Sequence, residues 1–433
     1  MHRTLKTLVG GTALAALALT ANAALAGGFA LREQSSYYQG TSFAGAASGG
    51  TLSSMFWNPA ALGEVGPGMT NEAIFNFIIP TSEVTLTQDL APLGIPLGPQ
   101  GDIGLDAFVP GSYGAYRLNE RIALGFSVNG PFGLATKYPG GAPVRAVAGT
   151  SEVFSLNVSP TVAYSVTDSL SVAVGAQVQY MEVRYTNAAL DLAGDDIGFG
   201  FTAGVLWEPV EGTKIGLGFR SSIEHTLEGQ ALAPAPIIAT GGLPVARTPI
   251  TINEFKTPEL VTLSVEQRIT DAFRVSATAE WANWSRVGTF PVQDDGTGGQ
   301  LNLLLGGGTL VSVPLEYSDG WYFAIGGEYD INEDLTVRAG VGYELSPVED
   351  NVRSLRLPDN DRLWLSAGAS YDLTDHMRVD AGYTYISVGD TNIPGTFVGN
   401  SGVGGTADAD VHIFTVGVNV ALEDGLHGLF GGH

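Results

Sequence analysis

Apolar and polar residues alternate with a period of two along many segments of this chain. Between Leu170 and Tyr180 the even positions carry Leu, Val, Ala or Tyr, whereas the odd positions carry Ser, Ala, Gly or Gln. The same alternation recurs over residues 335–345 and 377–385. Because successive side chains of a strand point to opposite faces, each segment is predicted to be a β-strand with one apolar face.

Short and long connections alternate between these predicted strands. The short ones share a design rich in Asn, Asp and Thr, whose side chains bond the local backbone in tight turns. The long ones are rich in Gly, Pro and Asp. Short turns at one end and long loops at the other are typical of outer-membrane β-barrels. About fourteen strands are predicted, near residues 68–87, 105–118, 121–135, 151–166, 169–187, 197–209, 213–229, 257–269, 272–288, 317–330, 333–346, 361–373, 376–388 and 409–421.

A row of aromatic residues supports a membrane barrel over a soluble sandwich. Each member lies about three residues before a short turn, on the apolar face of its strand. A membrane interface collects such rings at one depth, whereas a packed core has no reason to do so. We therefore predict an all-β fold, a transmembrane antiparallel β-barrel with its short turns in the periplasm. The row consists of Tyr116, Tyr164, Trp207, Tyr329 and Tyr371.

The first 26 residues have the pattern of a secretory signal peptide. A basic start with Arg3 and Lys6 precedes an apolar run over 8–19, and Ala-x-Ala sites end at Ala23 and Ala26. The apolar run is too short for a membrane-spanning helix. Cleavage is therefore expected after Ala26 or, as the second choice, after Ala23.

Residues 27–66 follow no sustained period and are rich in Gly, Ala and Ser. A segment of this size and composition cannot build a hydrophobic core of its own. We predict that it is a plug, or hatch, inside the lumen of a barrel formed by residues 67–421. Residues 422–433 are predicted to be a short periplasmic tail.

Composition narrows the classes of function. The 433 residues include 59 glycines and no cysteine, and only 15% are charged; the mean hydropathy is +0.16. Without cysteine, disulfides, Cys-based metal sites and catalytic thiols are excluded. After loss of the signal, 18 basic residues would face 44 acidic ones, a net charge near −26. This balance argues against nucleic acid as a partner.

Five segments carry a family resemblance. They are 27–31 (GGFAL), 58–60 (NPA), 132–136 (FGLAT), 219–222 (FRSS) and 357–368 (LPDNDRLWLSAG). Together they resemble the FadL-type long-chain fatty acid and hydrocarbon transporters of the outer membrane, over nearly the whole mature chain. The resemblance implies a monomer in the outer membrane of a Gram-negative bacterium. Its implied partners are a hydrophobic small molecule, outer-membrane lipid and lipopolysaccharide, and the barrel assembly machinery during biogenesis.

The resemblance also implies a hatch motif, formed here by Asn58, Pro59 and Ala60. The residues themselves indicate a helix start, because Asn is a favoured N-cap and Pro is favoured at the next position. The family places this motif against a kink in the third strand. We expect both interpretations to hold.

In that family the third strand kinks inward and leaves a gap in the wall. An apolar ligand binds at the outer loops, passes to an inner pocket beside the hatch, and leaves sideways through the gap. The sequence permits such a gap, because Pro cannot donate to a strand ladder and Gly marks bends. The alternative is an ordinary strand end that runs into its loop. The predicted lateral gate consists of Asn129, Gly130, Pro131, Phe132, Gly133 and Leu134.

A carboxylate ligand would need a cation inside an otherwise apolar pocket. Arg184 matches the inner-pocket Arg of the family, whereas the partner Lys of the family falls at Ser318. That departure argues against a fatty acid. Arg220, Arg338 and Arg378 face the lumen by alternation, and the alternative for each is a lumenal salt bridge.

We therefore predict a channel for passive uptake of hydrophobic molecules. A porin for small hydrophilic solutes is the first alternative, but it would leave an open lumen and need no hatch. An outer-membrane hydrolase is the second, because His225 lies close to Ser221 and Ser222. No orienting partner for that histidine is evident. No catalytic residue, cofactor or metal ligand is predicted.

Overall fold

A computed structural model describes residues 27–234, 245–296 and 308–422. The predicted signal peptide and the predicted tail beyond residue 422 lie outside the described residues. The described chain contains 21 β-strands, one short α-helix and several 3-10 turns. No helix in these ranges is long and apolar enough to cross a membrane.

All 21 strands belong to one sheet, and the pairs between them are antiparallel. Their bounds are β1 (Gly68–Asp89), β2 (Gly98–Asp102), β3 (Ala107–Arg117), β4 (Ile122–Asn129), β5 (Gly133–Lys137), β6 (Thr150–Thr167), β7 (Leu170–Thr186), β8 (Asp191–Val210), β9 (Thr213–Arg220), β10 (Glu224–Pro234), β11 (Val245–Lys256), β12 (Leu260–Arg268), β13 (Phe273–Ala282), β14 (Thr289–Asp294), β15 (Thr309–Pro314), β16 (Gly320–Asp330), β17 (Leu335–Leu345), β18 (Arg362–Thr374), β19 (Met377–Val388), β20 (Thr391–Ile393) and β21 (Val403–Leu422).

The sheet closes on itself. β1 pairs with β21 from Met69↔Leu422 to Asp89↔Val403, so the first and last strands meet. Some wall strands are continuous, whereas others consist of two successive pieces, such as β4 and β5 in the third wall strand. Counted in this way the wall has fourteen strands. The predicted fold class and strand number are therefore confirmed.

The two faces of the wall differ as the alternation predicts. On β7, the fifth wall strand, Val174 is 63% exposed, whereas Gln177 is 3% exposed. Aromatic residues near the short turns lie on the exposed face as well, as in Tyr164 (40%) and Tyr371 (48%). The outer face is thus apolar with aromatic rings near the turns, which suits a lipid bilayer and its interface.

Residues 27–66 lie inside the wall, and most of their side chains are buried. They contain α1 (Ser36–Gln39) and the 3-10 turns Leu52–Phe56 and Pro59–Glu64. Ser35 caps α1, because its Oγ accepts a hydrogen bond from the N–H of Tyr38 at 3.2 Å. We call residues 27–34 the N-terminal segment and residues 35–66 the plug body.

The wall reaches farther outward than the sequence predicts. Loops were expected near 230–256 and 289–312, yet β11 lies in the first region and β14 and β15 in the second. Their Gly and Pro content favours loops, but the strands pair with their neighbours in the sheet and bury Ile250, Ile252 and Val292. Burial of these side chains outweighs the local turn preference.

Candidate functional site

The third wall strand is interrupted where the sequence predicts a kink. β4 ends at Asn129 and β5 begins at Gly133. β4 pairs with β3 and β6, whereas β5 pairs with β6. Between β5 and the second wall strand, the described residues show one isolated bridge, Gly104↔Thr136. The hydrogen-bonded wall is therefore incomplete beside this break.

Apolar side chains at the break face the lumen. Phe132 is 5% exposed and Leu134 is 6% exposed, and both belong to a buried apolar cluster. The N–H of Phe132 donates to Ser155 Oγ at 2.9 Å, and that hydroxyl donates to the carbonyl oxygen of Phe132 at 2.7 Å. A serine side chain on β6 thus takes the place of a backbone partner. Pro131 supplies no N–H, which favours an interruption here.

The N-terminal segment pairs with the broken strand. The N–H of Leu31 donates to the carbonyl oxygen of Pro131 at 2.8 Å, and the N–H of Gly133 donates to that of Phe29 at 2.8 Å. These bonds satisfy backbone groups that the break leaves without wall partners. Sequence analysis missed this role, because pairing between segments a hundred residues apart leaves no local signal.

An aromatic cluster surrounds Phe29. Its ring centroid lies 4.6 Å from that of Trp284, 5.9 Å from that of Phe255 and 6.0 Å from that of Phe132. Trp284 begins the 3-10 turn between β13 and β14, so a second interruption of the wall supplies its ring. The contacts with Trp284 and Phe132 are edge-to-face, a favoured geometry for aromatic pairs. The break is therefore filled by rings rather than by polar groups.

An inner pocket lies between the N-terminal segment, the plug body and the wall. It is partly open, and its cavity volume is about 30 Å³. Pro131 lines it, so the pocket adjoins the break in the third wall strand. Five aromatic side chains that are almost fully buried also line it, namely Phe56, Trp57, Trp284, Tyr322 and Trp364.

Three charged residues line the inner pocket. Arg32 Nη1 lies 2.9 Å from Glu280 Oε1, and Arg32 Nη2 lies 3.7 Å from Glu344 Oε1. The guanidinium carbon of Arg32 also lies 3.7 Å from the ring centroid of Tyr322. Trp364 Nε1 donates to Glu344 Oε2 at 3.2 Å. The cation is held between two carboxylates, and all three side chains are largely buried.

An outer pocket lies among the extended strands beyond the membrane. Its cavity volume is about 10 Å³, and it is lined by apolar and aromatic side chains. The strands β7, β8, β11, β14 and β15 contribute to it, so three of the long connections meet there. Its lining residues are Val183, Tyr185, Leu192, Ala193, Ile252, Phe290, Val292 and Val313.

Asn58 acts as a cap, as its sequence context predicts. Its Oδ1 accepts a hydrogen bond from the N–H of Ala60 at 3.0 Å, with Pro59 at the first position of the turn. Its Nδ2 donates to the carbonyl oxygens of Ala47 at 2.8 Å and Val205 at 2.9 Å. Because Val205 lies on β8, these wall contacts of Asn58 are with the sixth wall strand. The turn that Asn58 caps also packs against the third wall strand, because Leu62 lies directly beside Gly125 on β4, while the N-terminal segment contacts the break itself.

Arg184 and Ser318 do not form the expected carboxylate site. The side chain of Arg184 is 46% exposed and pairs with Asp191 at 2.9 Å. It lies on the outward face of β7, two residues from the exposed Glu182. Ser318 Oγ donates to the carbonyl oxygen of Pro347 at 3.2 Å. Because strand faces alternate, a register difference of one residue moves a side chain to the other side of the wall.

Arg338 and Arg378 form lumenal salt bridges. Arg338 Nε lies 2.9 Å from Glu328 Oε2, and Arg378 Nε lies 3.3 Å from Asp380 Oδ1. Their guanidinium carbons lie 3.5 Å and 4.9 Å from the ring centroid of Tyr37, which belongs to the plug body. These two arginines therefore hold the plug body to the wall.

Arg220 has a different environment. Its Nη1 donates to the carbonyl oxygen of Phe56 at 3.1 Å, and its Nη2 donates to Gln177 Oε1. Its guanidinium carbon lies 4.3 Å from the ring centroid of Phe56. Phe56 lines the inner pocket, so Arg220 supports the pocket from behind this ring.

Arg356 is a buried cation in an outer loop that sequence analysis missed. It is 8% exposed and donates to the carbonyl oxygens of Val147 at 2.9 Å and Thr150 at 3.2 Å. Its guanidinium carbon lies 4.1 Å from the ring centroid of Tyr185, which lines the outer pocket. Burial lowers the pKa of this guanidinium. A long loop rich in charge predicts exposure, so local sequence gave no signal for it.

His225 is not paired with either nearby serine. Its Nδ1 lies 3.1 Å from Asp196 Oδ2, and its Nε2 lies 3.1 Å from Gln179 Oε1. Ser222 Oγ donates to the carbonyl oxygen of Thr257. Both ring nitrogens are thus occupied by other groups, and the arrangement lacks a serine nucleophile activated by this base.

A closed fourteen-stranded barrel, a plug within it and an aromatic pocket beside a break in the wall define a transport protein of the outer membrane. The chain belongs to the family described as outer membrane protein transport protein (OMPP1/FadL/TodX), whose model matches residues 17–422. Its members are transport channels and not enzymes, and their place is the outer membrane of Gram-negative bacteria.

Individual relatives support this assignment. A 47 kDa outer membrane protein from Pasteurella multocida is 29% identical, over 93% of this chain and 96% of the relative. A long-chain fatty acid transport protein from Escherichia coli is 26% identical, over 88% of this chain and 92% of the relative.

Solved structures share the fold. A Pseudomonas aeruginosa FadL homologue gives a TM-score of 0.79 at 21% identity, over 91% of this chain and 99% of that chain. The Pseudomonas putida toluene transporter TodX gives a TM-score of 0.68 at 16% identity, over 89% and 98%.

Proposed function

We propose that the protein is a channel for passive uptake of hydrophobic molecules across the outer membrane, and that its ligand leaves sideways through the break in the third wall strand. The observation that carries this proposal is the break itself. Phe132 and Leu134 present apolar surface to the lumen at a point where β5 and the second wall strand are joined by one bridge. A pore for hydrophilic solutes has no use for such a feature.

The two pockets and the aromatic cluster suggest a route. A ligand would enter the apolar outer pocket, pass along the buried apolar side chains above the plug, and reach the inner pocket. The residues of the outer pocket and of the break belong to one apolar cluster. Pro131 lines the inner pocket, so the last step to the break is short.

Energetics favour a sideways exit for an apolar ligand. Release along the barrel axis would place the ligand in periplasmic water, at a cost of about 0.8 kcal/mol per CH₂ group. Release through the wall keeps the ligand in an apolar environment. The plug body also fills the axis beneath the inner pocket, which favours the sideways route over an open pore.

Names of relatives indicate the substrate class. One relative is called a long-chain fatty acid transport protein, and structural neighbours are called toluene transporters and a monoaromatic hydrocarbon channel. We propose long-chain fatty acids or related lipids and hydrocarbons as the class of ligand.

We further propose that the barrel works as a monomer, because pairing of β1 with β21 leaves no open edge for a second copy. Its outer face would then contact membrane lipid and, in the outer leaflet, lipopolysaccharide. Folding in the membrane would use the barrel assembly machinery of the cell.

Straightening the break tests the proposal. A variant with Gly130→Val, Pro131→Thr and Gly133→Val should pair continuously, because Val and Thr favour strands and Thr restores an N–H donor. Uptake of a labelled hydrophobic substrate by cells should fall at least about tenfold at unchanged surface expression.

Gly288→Val is the matched control, because a Cβ at Gly288 would meet no atom within 4 Å. It should leave uptake unchanged. Normal uptake by the straightened variant, at normal surface expression, would contradict sideways exit and favour axial passage through the plug.

A further inference from the structure

We infer that the inner pocket selects uncharged apolar molecules against carboxylates, and that Glu280 and Glu344 enforce this selection. The inference rests on the proposed uptake of hydrophobic molecules and names the subclass that this pocket accepts. Hydrocarbons and neutral alcohols, ketones or esters belong to that subclass, and ionised fatty acids, which the broader proposed class includes, are excluded from it.

The carboxylates that line the pocket already outnumber its cation. Arg32 is the cation of the lining, and it faces Glu280 at 2.9 Å and Glu344 at 3.7 Å. An entering carboxylate would leave its hydration shell and meet two carboxylates of the same sign. Arg362 also acts on Glu344, but it is paired with the buried carboxylate of Asp359. The guanidinium of Arg32 therefore could not compensate a third anion as well, so burial of that anion is unfavourable.

Processing of the chain does not supply a spare cation. The predicted cleavage after Ala26 would add an ammonium at Gly27, which also lines the pocket. A Cβ at Gly27 would overlap the carboxylate of Glu344, so the Cα that carries this ammonium lies close to that side chain. Two cations would then stand against two carboxylates, and an acidic ligand would still find no unmatched positive charge.

The rest of the lining suits an uncharged ligand. Five buried aromatic side chains offer ring faces and edges, which attract apolar and aromatic molecules without any ionic partner. Arg32 Nε is buried and has no hydrogen-bond partner among the described residues. A hydroxyl, ketone or ester oxygen could accept from this N–H without adding charge.

A matched pair of ligands isolates the effect of charge. The probes are 2-naphthoate and its methyl ester, labelled and measured by equilibrium binding at pH 8. The protein is held in lipid nanodiscs, and binding to empty discs is subtracted. We expect the wild-type protein to bind the ester at least about tenfold more tightly than the acid.

The decisive comparison is between the wild-type protein and the double variant that carries Glu280→Gln and Glu344→Gln. Its affinity for the acid should rise at least about tenfold, while its affinity for the ester should stay within about twofold. Each single variant should show a smaller rise, which keeps the test informative if the double variant does not fold. Glu182→Gln, on the exposed face of β7, is the matched control and should change neither affinity.

Two results would overturn the inference. One is equal binding of acid and ester by the wild-type protein, and the other is a double variant whose acid affinity does not rise. In both cases a bound ester leaves the proposed uptake of hydrophobic molecules standing. Failure of the wild-type protein to bind either probe would count against the inference and the proposed function together.

Discussion

The plug meets the wall in two contrasting ways. The plug body rests its backbone on wall glycines: a Cβ at Gly216 would overlap the carbonyl oxygen of Ala47, and one at Gly340 would overlap that of Thr41. The N-terminal segment instead meets the break through Phe29 and two backbone hydrogen bonds. One contact is a close steric fit, and the other combines two backbone hydrogen bonds with ring contacts, of which an apolar ligand could replace the ring contacts.

Charge sharpens the contrast. The plug body is tied to the wall by buried polar groups, such as Tyr37 Oη donating to Glu328 Oε2 at 2.5 Å and Thr51 Oγ1 donating to Glu72 Oε2 at 2.8 Å. Displacing these groups would leave buried charges unpaired, which is costly. The cluster around Phe29 is apolar, and an apolar ligand could replace its ring contacts without that cost. Farther along the same segment, Arg32 is held to Glu280 and Glu344, so only the Phe29 end lacks a buried ion pair. This difference identifies the Phe29 end of the N-terminal segment as the part of the plug that can respond to a ligand.

The largest effect is expected when the N-terminal contact alone is broken. Phe29→Ala removes a buried ring and should weaken docking of the N-terminal segment by about 3–4 kcal/mol. Hydrogen exchange at the amides of Leu31 and Gly133 should then accelerate by about two orders of magnitude.

Phe77→Ala is the control for this change, because that ring is 48% exposed on the outer face. It should leave exchange at both amides unchanged. Unchanged protection in Phe29→Ala would show that backbone pairing alone holds the segment, and the contrast between the two contacts would be lost.

An intermediate effect is expected when the contact of the plug body alone is broken. Gly216→Ala forces a methyl group into the carbonyl of Ala47 and should destabilise the seated plug by about 2–3 kcal/mol. Ion conductance through single barrels in planar bilayers should rise, because a displaced plug opens the lumen. Gly288→Ala, with open space at its Cβ, should conduct like the wild type; equal conductance of all three would contradict the steric fit.

The smallest effect is expected at Asn58, where capping and wall contact coincide. Asn58→Ala should cost the plug about 1–2 kcal/mol, and Asn58→Ser should cost less, because Ser keeps the cap but lacks the amide donors. Limited proteolysis of the plug reports the ranking. If Ser proved as harmful as Ala, the bonds to Ala47 and Val205 would matter more than the cap.

Much of the fold could be predicted because strand periodicity is local. The exposure of Val174 and burial of Gln177 follow from alternation, and the break at Pro131 follows from the chemistry of proline and glycine. These signals lie within a few residues of the feature that they predict, so a single sequence contains them.

The rest depends on contacts between distant segments. The N–H of Leu31 donates to Pro131, and the N–H of Gly28 lies 3.2 Å from Asp359 Oδ2. Both contacts join parts of the chain that no local pattern links. Arg184 shows the limit of transfer by resemblance, because in the structure it lies on the outward face of β7 and pairs with Asp191. The pairing of Arg32 with two glutamates likewise forms only in the folded lumen, so no local sequence pattern predicts it.

Enclosure of the plug sets an order of events during folding. The plug body bonds to opposite parts of the wall, through Ser36 Oγ and Thr415 Oγ1 on β21 at 2.7 Å and through Asn58 and Val205 on β8. Because these bonds reach both sides of the lumen, we expect the plug body to be in place before β1 and β21 join. Those two strands are separated by most of the chain, and such non-local pairing is slow to form. Until these two strands join, the barrel has two unpaired strand edges, which can pair with wrong partners.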